Sequence, residues 1–201
     1  MTPSPFHQHN SDLLDALLSS AVSAEDIAAV QAQLGRYPRG MVAVGARCVC
    51  GQPLVTVTRP LLDGGIPFPT TFYLSAPVAT KAISRLEASG IMTDLTDQVR
   101  TDLETKAAYG RAHLAYLDFR RQLALRLGDS EDHIEGVGAG GMPERVKCLH
   151  ALVAQSLAMG PGVNPIGDKA LDMVKDEFDP AVCRCPQGRD DARSHEGESW
   201  L

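Results

Sequence analysis

Apolar and polar residues alternate along this chain in two distinct periods. Ile27, Val30 and Leu34 recur at helical spacing. Ser23, Glu25 and Asp26 stand before them and Gly35 after them, which predicts a helix over 23–34 with start and stop signals in place. The β-rich runs MVAVGARCVC (41–50) and PLVTVT (53–58) predict a hairpin, and TFYLS (71–75) predicts a third short strand. Between them, RPLLDGGIPFPT (59–70) is too rich in Pro and Gly for regular structure and reads as a surface crossing. From Pro77 the period turns helical, with segments over 77–89, 92–100 (a turn or short helix), 102–127, 143–159 and 169–177. Strands first and helices afterwards predict an α+β fold: a small antiparallel sheet of about three strands, then a mainly helical C-terminal half. Residues 23–178 are expected to form one domain. Residues 1–22 read as a flexible lead and 179–201 as a flexible polar tail.

Composition narrows the function classes. The 201 residues carry a net charge of −6, so there is no global basic footprint, which speaks against nucleic acid as a partner. No apolar run approaches the ~20 residues of a membrane helix, and the start MTPSPFHQHNSDLL lacks the layout of a secretory signal. A cytoplasmic location is the expectation. Five cysteines (48, 50, 148, 183, 185) in such a chain point to reduced thiols or metal ligands before disulfides.

The stretch GAGGMPERVKCLH (138–150) concentrates the candidate chemistry. GVGAGG (136–141) matches G-x-G-x-x-G, but no strand precedes it, and no Gly-Lys-Ser/Thr closes a phosphate loop. The expectation is narrower. Pro143 would open a helix whose N-terminal amides, with Gly140, Gly141, Arg145 and Lys147, welcome an anion. Within that helix Cys148 and His150 would lie about 200° apart and could not share a ligand. A strand, by contrast, would point Cys48 and Cys50 the same way. A metal site using Cys48, Cys50 and Cys148, for zinc or iron, is therefore a candidate, and Cys183 and Cys185 could join if their segment docks back. On the 102–127 helix, Tyr109, His113, Tyr116 and Arg120 share an arc beside an apolar stripe of Leu103, Ala107, Leu114, Leu117 and Leu125. His113 is the candidate general acid–base there, against the simpler reading that the band hydrogen-bonds to nearby loops.

The phrases LGRYPRG, RCVCGQP, DGGIPFPTTFYLSAP and AGGMPERVKCLHALVAQSLAMGPGVNPIGD resemble a bacterial family known as domain of unknown function 501, over roughly residues 30–176. The resemblance brings no activity. It implies a cysteine where this chain has Ala76, so a family metal centre that needs that sulfur would require a substitute here. Two functions are carried forward. One is an enzyme or binding protein for a phosphate- or carboxylate-bearing small molecule at 138–147. The other is a non-enzymatic module with a cysteine-based structural metal site and a protein partner.

Overall fold

The computed structural model describes residues 6–185. Helices α1 (His7–Leu17) and α2 (Ala24–Leu34) precede strands β1 (Met41–Arg47), β2 (Pro53–Thr58), β3 (Leu61–Leu62), β4 (Ile66–Pro67) and β5 (Phe72–Leu74). Helices α3 (Pro77–Ala88), α4 (Ile91–Thr101), α5 (Leu103–Leu127), α6 (Leu149–Met159) and α7 (Pro165–Met173) follow, with one 3-10 turn at Asp132–Ile134. The fold is α+β as expected. β1, β2 and β5 form a three-stranded antiparallel sheet, while β3 and β4 make a two-residue ladder inside the segment read as irregular.

Local signals account for most boundaries. Ser23 Oγ accepts the Asp26 amide and Gly35 closes α2 at φ +67°. Asp102 caps α5 through the Glu104 and Thr105 amides, and Gly128 ends it at φ +69°. β2 is buried along its whole length as the central strand. α6 crosses the sheet and supplies Leu149, Leu152, Val153 and Ala154 to a core that runs from Leu14 to Phe178. Phe72 of β5 meets Tyr116 edge-on at 5.7 Å and Phe119 at 4.7 Å, joining the sheet to α5.

Three expectations change. Residues 7–17 of the expected flexible lead form α1, which packs on α5. Its Asn10 is fully buried and donates to the Ala115 carbonyl (3.0 Å) and Asp118 Oδ2 (2.8 Å). The expected tail is ordered from Asp179 to Cys185, with a β-bridge between Asp179 and Val182. Its remainder, 186–201, lies outside the described residues, as do 1–5. Finally, the helix expected from Pro143 begins at Leu149. The Val146 amide is captured by Thr96 Oγ1 of α4 (3.0 Å), and the Lys147 and Cys148 amides turn back to the Gly140 carbonyl. With its ladder donors taken by other acceptors, 143–148 cannot wind as regular helix.

Candidate metal centres

The β1–β2 turn and the C-terminal segment bring four sulfurs together. After β1 the chain turns tightly, the Cys48 amide donating to Gln52 O (2.9 Å) and the Gly51 amide to Cys48 O (2.8 Å), with Gly51 at φ +86°. Phe178 is buried in the core, and the following turn is held by the Ala181 amide on Asp179 Oδ1 (2.8 Å). The Val49 amide then donates to Pro180 O (3.2 Å), tying one turn to the other. As a result the Sγ atoms of Cys48, Cys50, Cys183 and Cys185 lie within 4.8 Å of one another, and all four thiols are free. Zinc–sulfur bonds of ~2.3 Å at tetrahedral angles place sulfurs about 3.8 Å apart, so the spacing suits one ion. Burial, then the neighbouring Cys50 and Cys48, push the Cys185 thiol up. A cation at the centre would reverse that penalty. Cys48 and Cys50 do come together, but in the turn after β1 and not along the strand expected to run to residue 50. Cys148, grouped with them from sequence, lies elsewhere. The signal for its replacements was the repeated C-x-C: CVC at 48–50 and CRC at 183–185.

Cys148 sits in a second cluster. It is the N-cap of α6, with extended backbone (φ −154°, ψ 107°), so it is not a helical residue and the 200° separation from His150 does not hold. Ligand atoms of Glu87, Cys148 and His150 all lie within 4.8 Å of one another. Glu87 comes from the last turn of α3; its Oε1 accepts the Leu149 amide at 2.6 Å and stands 3.2 Å from His150 Nδ1. His150 Nε2 is 3.2 Å from Thr80 O and 3.1 Å from Ser84 Oγ. The adjoining His150 ring, opposed by burial, lowers the Cys148 thiol, and the thiol raises His150 to about 9 with Glu87 contributing. Sequence reasoning missed Glu87. A carboxylate in the last turn of a helix opposes the helix dipole, and that misplacement was its signal.

The other predicted site residues are placed as follows. Gly140 and Gly141 lie in a folded loop, not at a helix start, and Arg145 and Lys147 are exposed on it. Gly140 has φ +61°, and a Cβ there would stand 2.6 Å from Leu152 Cδ2 and 2.9 Å from Cys148 O, so this glycine serves close packing. The Arg145 amide is used by Gly141 O (3.2 Å) and the Lys147 amide by Gly140 O (2.7 Å). The Leu149 amide at the true helix start donates to Glu87, an anion of the chain itself. Three residues of the aromatic band on α5, Tyr109, Tyr116 and Arg120, bond to nearby loops. Tyr109 Oη donates to Arg145 O (3.2 Å), and Arg120 donates to Glu131 Oε2, Val137 O and Ile134 O at 2.9, 2.6 and 2.7 Å. His113 is half-buried against Gly138 with Nδ1 lacking a partner among the described residues, and burial and then Arg120 hold its pKa down. The stripe beside it does not face the core throughout: Leu103, Leu114 and Leu125 are exposed.

A family model described as a protein of unknown function, DUF501, matches residues 44–172. The chain belongs to the DUF501 family. No curated protein and no solved structure matches it. The matched span contains Glu87, Cys148 and His150 and half of the four-sulfur set, and it stops before Cys183. Among the described residues, no helix of this DUF501 protein is long and apolar enough to cross a membrane.

Beside the four sulfurs the DUF501 chain forms a largely apolar cleft with ≈ 650 Å³ of empty space, part of it open to solvent. Leu54, Ala76, Val78 and Phe178 line it, with Cys48 and Cys185 in its wall. Two polar atoms are left over in that lining: Gln33 Oε1 and Gln52 Oε1 are buried without a hydrogen-bond partner among the described residues. Ala76, the position where the resemblance implies a cysteine, lines the same wall.

Proposed function

We propose that this protein is a metal-stabilised binding module. Cys48, Cys50, Cys183 and Cys185 hold one zinc-class ion, and the ion fixes the C-terminal segment as a wall of the adjoining cleft. The observation that carries this reading is the convergence of four free sulfurs from two turns far apart in the chain. Four thiolates close the coordination shell, the pattern of structural rather than catalytic zinc, and iron shares the same donor preference. The cleft supports the binding half of the reading. Its apolar walls and two orphaned carboxamide oxygens suit a ligand with an apolar body and N–H or O–H donors. A small acidic protein of this kind is expected in the cytoplasm, where thiols stay reduced.

The anionic-ligand reading at 138–147 has weaker support, because the loop amides bond within the loop and the helix start accommodates Glu87. An enzyme built on His113 has less support, because that ring does not line the cleft described above.

Elemental analysis of protein purified without a histidine tag tests the module. About one equivalent of zinc or iron that disappears in the Cys183→Ser/Cys185→Ser double variant is the expected result. Less than about a tenth of an equivalent bound to the four thiolates would sink the reading, given how tightly structural zinc is held.

A further inference from the structure

The cluster of Glu87, Cys148 and His150 has the donor set and the supporting bonds of a second, different metal site. Two elements fix its members. Glu87 belongs to α3, Cys148 is the N-cap of α6, and His150 is in the first turn of α6. The bonds around them are those that orient ligands. A carbonyl can only accept, so the contact between His150 Nε2 and Thr80 O (3.2 Å) places a proton on Nε2. A metal-binding histidine characteristically donates its far nitrogen to a carbonyl in this way, which leaves the near nitrogen's lone pair for the ion. The Glu87 carboxylate is likewise aimed by the Leu149 amide at 2.6 Å.

With Nε2 as the donor, Nδ1 of a neutral ring turns a lone pair toward Glu87 Oε1 at 3.2 Å, and the Cys148 sulfur closes the triangle. Two lone-pair donors and a thiol facing one another call for positive charge between them, either a proton on Nδ1 or a metal ion in its place. Metal–nitrogen and metal–oxygen bonds of ~2.0–2.1 Å at tetrahedral angles put N and O about 3.3 Å apart, close to the observed separation. A Cys–His–Glu relay for nucleophilic attack fits less well. In such a relay the ring stands between thiol and carboxylate, using one nitrogen for each. Here Nδ1 faces Glu87, and Nε2 is engaged by Thr80 and Ser84.

We propose that Glu87, Cys148 and His150 bind a zinc-class divalent ion through three protein ligands, leaving a fourth position for water or an anionic small-molecule donor. Thiolate and carboxylate together neutralise the ion's charge. All three ligands are partly exposed, so the fourth position reaches solvent. Three ligands and an open position distinguish this site from the closed four-sulfur one. It does not depend on the four-sulfur reading, since the two clusters share no residue.

Cobalt(II) substitution separates the two sites. The metal-free, reduced full chain is titrated with cobalt, and the visible spectrum and the bound equivalents are recorded. Two equivalents are expected. One gives the intense sulfur-to-cobalt band of four thiolates, and the other a weaker band from a single thiolate. Glu87→Gln and His150→Gln should each lose the weaker band and one of the two equivalents. Glu87→Gln retains a carbonyl oxygen for the Leu149 amide, so circular dichroism should stay unchanged. Cys183→Ser/Cys185→Ser should lose only the intense band. In that double variant, added azide should shift the remaining cobalt spectrum. Wild-type protein that holds at most the four-thiolate equivalent would overturn the proposal, as would a weaker band retained in both Glu87→Gln and His150→Gln. No azide response from the remaining cobalt would overturn the open position. Failure of the intense band alone would count against the four-sulfur reading and leave this one standing.

Discussion

Tyr116 is fully buried, and its hydroxyl serves two neighbours: it accepts the Thr71 amide at 2.6 Å and donates to Pro69 O at 2.7 Å. Tyr116→Phe keeps the ring and its contact with Phe72 but orphans a buried amide. A loss of about 1–3 kcal/mol in urea unfolding is expected, with no change in secondary structure. Arg120 is more demanding still. It is fully buried and answers Glu131 and two carbonyls, so Arg120→Leu should cost about 3–5 kcal/mol by the same measurement. At the surface the effects shrink. The Arg47 guanidinium forks onto both oxygens of Asp26 at 2.7 Å and holds that carboxyl below its usual range. Because the folded state binds this proton less readily than the unfolded one, the contribution is present at neutral pH and fades as pH falls through the carboxylate range. Arg47→Leu should therefore be less stable than wild type by about 0.5–1 kcal/mol at pH 7, and the gap should narrow as pH falls through and below the usual carboxylate range. That Tyr109, Tyr116 and Arg120 share one side of a helix was legible in their spacing. Which loops they fasten was not, because Pro69, Thr71, Val137 and Arg145 come from segments without periodicity.

α6 and α7 touch through a glycine. A Cβ on Gly167 would sit 2.3 Å from Leu152 O and 2.4 Å from Ser156 Oγ. Replacing a helical glycine with alanine gains about 1 kcal/mol in helix propensity, but here the methyl meets backbone and the two helices must part. Gly167→Ala should therefore lower stability, by at least about 1 kcal/mol net, in spite of its better propensity; thermal unfolding decides the sign. The same region shows where sequence reading succeeds and fails. Helices with local caps, α2 and α5, were readable to within a residue, because Ser23, Asp102, Gly35 and Gly128 settle their own ends. α6 was not, because its start is decided by partners distant in sequence: Thr96 takes the Val146 amide and Glu87 takes the Leu149 amide. α1 was hidden for a related reason. Its stability comes from burying Asn10 and Leu14 on α5, not from a favourable N-cap or a charged first turn.

Across the whole molecule, two terminal segments are fastened by different means. α1 is held by packing and by the Asn10–Asp118–Gln122 hydrogen bonds, which no chelator touches. Residues 179–185 are held by one bridge, a few turn bonds, the Arg184 bond to the Asp176 carbonyl, the packing of Cys183 and Cys185 on the core and, on the proposed function, an ion. Exposure to a strong chelator under reducing conditions should speed amide hydrogen exchange at Val49 and Val182 by tenfold or more, while α1 and α5 amides stay protected. Equal acceleration everywhere, or none, would contradict that division. The site itself was half legible. Paired cysteines were visible at 48–50 and at 183–185, but their meeting depends on the Phe178 anchor and on the Val49–Pro180 bond, neither of which has a local signature.

The position of Cys183 and Cys185 after the core residues also bears on the integrity of the chain. Every residue of the buried core from Leu14 to Phe178 precedes them in the chain. A chain that stops between Phe178 and Cys183 would own its whole interior and yet offer only two of the four sulfurs. Metal retained at that site would then distinguish molecules that carry residues 179–185 from those cut short before Cys183, as a seal across a joint between two distant turns.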